Sequence, residues 1–150
     1  MANLRVSVSA DWDKGVARQL VEELGRRGCE VTPYGALGSE EKADWAFCTE
    51  AAARDVAEGR ADQAVVCCWT GTGASIAANK VPGVRAALCT DAYTASGARR
   101  WNDANVLALG LRLTSAASLG EILDAWFGTG PSQDHTDQRN IQHLERIGRA

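Results

Sequence analysis

The stretch that decides the fold is Cys67-Cys68-Trp69-Thr70-Gly71-Thr72-Gly73-Ala74-Ser75-Ile76-Ala77-Ala78-Asn79-Lys80. Before it, residues 64–68 (Ala-Val-Val-Cys-Cys) form an unbroken apolar run. Such a run is expected for a strand buried on both faces. The strand runs straight into a turn of small residues and then a helix. Glycines in the turn let backbone approach a ligand closely, and free N–H groups at a helix start can hold an anion. No Gly-Lys-Ser/Thr follows, so this is not a P-loop. Ile76 stands where a dinucleotide fingerprint needs its third glycine. Taken alone, the Gly-x-Gly turn is equally compatible with a tight strand-to-helix connection.

Working outward, strand-like and helix-like segments alternate along the chain. Residues 4–10, 30–34, 84–88 and 105–109 read as four further strands, the last two as buried ones. Residues 14–27 carry Val16, Leu20, Val21 and Leu24 at helical spacing, with Gly28 as a stop. Residues 44–58 form a second helix with Phe47, Ala51 and Val56 inward, after a loop over 35–39. Further helices are expected over 75–80, 92–102, 115–127 and 134–149, the last of them polar. Five strands alternating with helices imply a single α/β domain over 1–150. It is a Rossmann-like three-layer α/β/α sandwich on a parallel sheet of order 2-1-3-4-5. The ligand site then belongs at the carboxyl ends of the strands, near a topological switch point. The polar last helix buries little of itself, so a partner subunit is its expected neighbour.

Composition narrows the function classes. The 150 residues are 45% apolar and 23% charged, with a net charge of −3 and a pI near 5.4. A nucleic-acid surface would need a basic stripe. No apolar run reaches the length of a membrane span, and a signal peptide is not expected before the first strand. Cysteines stand at 29, 48, 67, 68 and 89 with no Cys-x-x-Cys pair. That pattern fits free thiols in a reducing cytoplasm better than a disulfide framework or a zinc ribbon. The two histidines, His135 and His143, offer no metal site, and no cofactor is implied.

Cys68 is the chemically suggestive residue. It ends the central strand beside a helix start, where the dipole favours a thiolate and hence a general base. The plainer alternative is a small buried hydrophobe, the reading given to Cys29, Cys67 and Cys89.

Two blocks bear on the choice through a resemblance. Gly71-x-Gly73-x-Ser75-Ile76-Ala77-Ala78-Asn79-Lys80-Val81-Pro82-Gly83-Val84-Arg85-Ala86-Ala87-Leu88-Cys89 and Asn102-Asp103-Ala104-Asn105-Val106-Leu107-Ala108-Leu109-Gly110-x-Arg112 closely resemble the ribose-5-phosphate isomerase B family, which includes the galactose-6-phosphate isomerase subunits. The resemblance implies a homodimer or homotetramer with shared sites and metal-free aldose–ketose isomerisation of a sugar phosphate through an enediolate. It places Cys68 on the family's catalytic base and Thr70 on its hydroxyl partner. The backbone of Gly71, Thr72, Gly73, Ala74 and Ser75, with Asn102, falls on the anion hole, an arrangement of preorganised donors. Asp11 falls on an aspartate that contacts sugar hydroxyls. Arg112 and Arg139 fall on phosphate-binding positions, where a guanidinium fork suits the ligand, and His135 belongs to the same set.

The chain also departs from the pattern. Trp12 follows Asp11 where the family usually has histidine, and Trp101 precedes Asn102 where it has the histidine that assists ring opening. Indole has one donor and no acceptor, so it cannot shuttle a proton. Trp69 replaces a glycine, Trp45 stands where tyrosine is common, and His143 replaces an arginine. Up to four of the five tryptophans could thus crowd one cleft, with Trp126 left for the core. Three readings follow: an isomerase of a sugar phosphate, of the ribose 5-phosphate/ribulose 5-phosphate type or a shorter open-chain tetrose phosphate; an isomerase of an unphosphorylated or uronate-derived keto sugar; and a non-catalytic binding subunit on the same fold.

Overall fold

The computed structural model describes residues 3–38 and 42–148. Ser39, the expected end of the first long loop, and Arg149, the expected end of the last helix, lie outside the described residues. The strands are β1 (Arg5–Ala10), β2 (Glu30–Gly35), β3 (Gln63–Cys68), β4 (Ala86–Leu88) and β5 (Val106–Gly110). The helices are α1 (Ala17–Arg26), α2 (Trp45–Ala57), α3 (Thr72–Asn79), α4 (Ala92–Asn102), α5 (Ala116–Phe127) and α6 (His135–Leu144).

All strand pairs are parallel, and the order is β2-β1-β3-β5-β4. The three-layer class is as expected, but the last two strands exchange places. Burial explains the exchange. Every residue of β5 is buried, whereas β4 has three residues, none of them fully buried. The strand that is apolar on both faces takes the interior and the short one takes the edge. The expectation of a buried strand over 84–88 is corrected accordingly.

Alternation on β3 and β5 feeds two cores. Val65, Cys67, Leu107 and Leu109 face one cluster, with Leu20 and Leu24 of α1 and Leu119, Ile122, Leu123 and Trp126 of α5. Val66, Cys68, Val106 and Ala108 face the other, with Ala52 and Ala53 of α2 and Ala74 and Ala78 of α3. Alanines on α2 and α3 let these helices lie close to the sheet. Phe47, expected to point inward, is 51% exposed, with the Lys42 ammonium 4.8 Å from its ring centre. Cys48, Thr49, Ala52 and Ala53 face inward instead. Trp126 is fully buried as anticipated, and its indole N–H donates to Gln63 Oε1 at 2.8 Å.

Helix ends follow local chemistry. Asp91 and Thr94 form a capping box on α4, and Ser115 and Ser118 another on α5. Asp134 accepts from the N–H groups of Thr136 and Asp137 at the start of α6. This helix packs on α4 of its own chain and buries only Ile141. The chain crosses from β1 to β2 on one side and continues to β3 on the other. The topological switch therefore lies between the carboxyl ends of β1 and β3, where a ligand crevice forms in such sheets.

Candidate active site

Asp11 follows β1 and Cys68 ends β3, so the switch point lies between the two residues singled out in the sequence. The Cys68 sulfur accepts from Gly71 N–H at 3.2 Å and from Ala74 N–H at 3.4 Å. Cys68 is 5% exposed. The turn that presents these donors is the first turn of α3, which begins three residues earlier than expected, at Thr72. Gly71 caps it with φ +79°. A Cβ on Gly71 would lie 2.5 Å from Leu88 Cδ1 and 2.9 Å from both Gly110 N and Leu109 C. The end of β5 thus clamps the turn from beneath: Leu111 N–H donates to Cys68 O and Arg112 N–H to Trp69 O. The first turn of α3 leaves the N–H groups of Thr72 and Gly73 without intrahelical acceptors.

The hydroxyls of Thr70 and Thr72 lie 2.7 Å apart. The sequence assigns Thr72 a backbone role only, although Thr-x-Thr spacing across a turn is a signal for this contact. Asp11 keeps one carboxylate oxygen, Oδ1, buried with no hydrogen-bond partner among the described residues. Burial pushes its carboxyl up from the ordinary range, against a bond from its own backbone, and the Asp44 charge pushes the same way. The other cysteines are held as thiols by burial. Cys48 and Cys89 are each pushed up to about 11, Cys67 further still, and Cys29 is raised as well.

Three tryptophans flank this turn. The rings of Trp12 and Trp69 meet with centroids 5.1 Å apart, and Trp45 lies so close to Gly73 that a Cβ there would sit 3.0 Å from its ring. Arg112 is exposed at the same end of the sheet.

The remaining predicted residues are elsewhere in the chain. α4 begins beyond β4 and runs back, about 16 Å at 1.5 Å per residue, to deliver Asn102 where β5 starts. Asn102 and Cys68 therefore stand at opposite ends of one sheet, and a single chain does not bring them together. Trp101 is with Asn102, packed on Tyr93 at 6.2 Å, so within one chain three tryptophans share the Cys68 end. Trp101, Asn102, Asn140 and His143 line a cavity of about 400 Å³. Asn102 also borders one of about 650 Å³ beneath the 79–87 segment. His135, Arg139 and His143 recur every fourth residue on exposed positions of α6, which places them along one face.

Much of the first resembling block is scaffold. The Asn79 side chain donates to Ala86 O at 2.9 Å and accepts from Ala86 N–H at 2.8 Å, tying the end of α3 to β4. Arg85 donates to Asp103 O at 2.7 Å and pairs with Glu145. Among the described residues no group of three or more His, Cys, Asp or Glu side chains could hold a metal ion, and no helix is long and apolar enough to cross a membrane.

A parallel α/β sheet with a thiol at its switch point, held by the amides of a helix start, defines a small-molecule site suited to proton transfer. Residues 9–144 match the Ribose/Galactose Isomerase family. The chain is 41% identical over 129 residues to ribose-5-phosphate isomerase B of Escherichia coli, covering 86% of this chain and 83% of that protein. It is 36% identical over 107 residues to D-erythrulose-4-phosphate isomerase of Pectobacterium atrosepticum, covering 71% and 70%. The structure of Trypanosoma brucei type B ribose 5-phosphate isomerase superposes with a TM-score of 0.88 at 36% identity, covering 97% of this chain and 99% of that one. The chain belongs to the ribose/galactose isomerase family, and with it to the aldose–ketose isomerases of sugar phosphates.

Proposed function

We propose that the protein interconverts an open-chain aldose phosphate and its ketose through an enediolate, with Cys68 as the base. The observation that carries this reading is the Cys68 sulfur at the tip of β3, met by the N–H groups of Gly71 and Ala74. In the aldose-to-ketose direction the Cys68 thiolate takes the proton from C2. The C2–H electron pair becomes the C1–C2 double bond, and the carbonyl pair moves onto O1. The amides of the first turn of α3 stabilise that oxyanion. Thr70 passes the O2 proton towards O1, and the Cys68 thiol returns its proton to C1, leaving the ketone at C2. Asp11 orients the sugar hydroxyls. Arg112, Arg139, His135 and His143 hold the phosphate.

Trp101 supports the open-chain assignment. An indole cannot exchange a proton with a ring oxygen, and a tetrose whose 4-hydroxyl is esterified cannot close a furanose ring. The name of the Pectobacterium relative, a four-carbon ketose phosphate isomerase, supports the same substrate class. The separation of Asn102 from Cys68 supports a homodimer in which one protomer's Asn102 and α6 complete the other's site. The free thiols fit work in a reducing cytoplasm.

The test is turnover in D2O of tetrose, pentose and hexose phosphates, followed by NMR for the isomer and for deuterium at the reacting carbon. Wild type is expected to convert the tetrose phosphate with deuterium incorporation, and Cys68→Ala to convert none. Turnover that survives Cys68→Ala removes the assignment of the base. A clear preference for ribose 5-phosphate removes the assignment of the substrate.

A further inference from the structure

Asp11 and Cys68 close neighbouring strands, and each is followed at once by a tryptophan. Ala10 of β1 pairs with Cys67 of β3, so the chain leaves both strands at the same level. The two indoles meet there, 5.1 Å between centroids and tilted by 52°. Trp12 is 46% and Trp69 is 44% exposed. Neither belongs to the buried clusters of the sandwich, so core packing does not account for them. Their backbone support is firm at one side: Trp69 O accepts from Arg112 N–H at 3.0 Å. The adjoining Gly110 has no room for a Cβ, which would lie 2.7 Å from Thr70 O. The pair is therefore a half-exposed aromatic contact beside the strand tips that carry Asp11 and Cys68.

We propose that the Trp12–Trp69 pair sets the carbon count of the substrate, filling the space that a fifth sugar carbon would need. This rests on the isomerase reading given above. An aromatic pair of this kind discriminates by exclusion. One methylene more or less in an apolar pocket is worth about 10- to 200-fold in kcat/KM. An added carbinol would also bring a hydroxyl against indole faces that offer no acceptor. Against Trp69, glycine opens the largest volume. Against Trp12, alanine removes the ring and keeps the chain direction.

The experiment compares kcat/KM for a tetrulose 4-phosphate and for ribulose 5-phosphate in wild type, Trp69→Gly, Trp12→Ala and the double variant. Trp69→Leu is a bulkier substitute if the glycine variant does not fold by circular dichroism. Wild type is expected to favour the four-carbon substrate. The variants are expected to move the ratio towards the five-carbon one by at least about tenfold, through a lower KM for the pentulose phosphate. Variants that still turn over both substrates at the wild-type ratio overturn the inference and leave the isomerase reading standing. Wild type that turns over neither removes both.

Discussion

Gly71 aims its N–H at the Cys68 sulfur from 3.2 Å, and does so at φ +79°, a conformation that costs any residue with a Cβ about 1–2 kcal/mol. The added methyl of Gly71→Ala would also meet backbone atoms of Leu109 and Gly110 at 2.9 Å. The turn can escape only by moving, and its amides move with it. Gly71→Ala is expected to lower the melting temperature and to cut kcat by about 100-fold, the usual loss for one misplaced donor. Turnover at the wild-type rate in a folded Gly71→Ala protein would show that the turn is not part of the site.

Thr72 offers a gentler probe. Its hydroxyl lies 2.7 Å from that of Thr70 and both are exposed, so the contact contributes little to folding. Its effect is to hold the Thr70 hydroxyl in one rotamer. Thr72→Val keeps the shape and removes the partner. The expected result is a drop in kcat of about tenfold with KM little changed, because proton transfer is affected and ground-state binding is not. Thr72→Ser is expected to restore most of the rate. Equal kcat in the valine and wild-type proteins would assign Thr72 to packing alone.

What the sequence discloses and what it hides divide along a physical line. The alternation of 64–68 with its neighbours marks the parallel sheet, because strands buried on both faces must be apolar throughout. Cys68 and Asp11 are legible because strand tips at a switch point are fixed by topology. The exchange of β4 and β5 is not legible, since both segments look apolar and only the exposure of Ala86–Leu88 separates them. Phe47 misleads for a similar reason: alanines fill the close approach of α2, and the large ring is left outside. The distance between Asn102 and Cys68 is hidden as well. A motif records that residues act together but not that one chain carries them to opposite ends.

The buried carboxylate of Asp55 links stability to pH. Burial drives its carboxyl up, but bonds from Ser7 Oγ and Tyr34 Oη at 2.7 Å and from Arg60 Nε at 2.8 Å outweigh this. Its folded value is therefore depressed below the ordinary one of about 3.9. A depressed carboxylate contributes stability that is present above its unfolded value and lost as pH falls through its folded value. Asp55→Asn is expected to cost about 1–3 kcal/mol at neutral pH, measured by urea unfolding. The gap to wild type should close as pH drops below about 4. A gap that stays constant down to pH 3 would mean that the ionised form contributes nothing.

The placement of Cys68 and Asn102 at opposite ends of the sheet makes a sharp demand on two inactive proteins. Cys68→Ala removes the base. Asn102→Ala removes a donor that, in the proposed dimer, serves the partner's thiol. Each variant alone is expected to lose activity while remaining folded, since Asn102 is exposed and alanine at 68 replaces a small buried side chain. Refolded together in equal amounts, about half of the dimers would be mixed. In a mixed dimer one site inherits Cys68 from the Asn102→Ala protomer and Asn102 from the Cys68→Ala protomer, and is whole. The other site carries both lesions. Activity should therefore recover to about a quarter of wild type, with an unchanged KM, since every working site is a normal one. Recovery depends on exchange of protomers, so simple mixing without refolding should restore less. If co-refolded protein stays as inactive as its parents, Asn102 does not act across a subunit boundary, and the shared site is wrong.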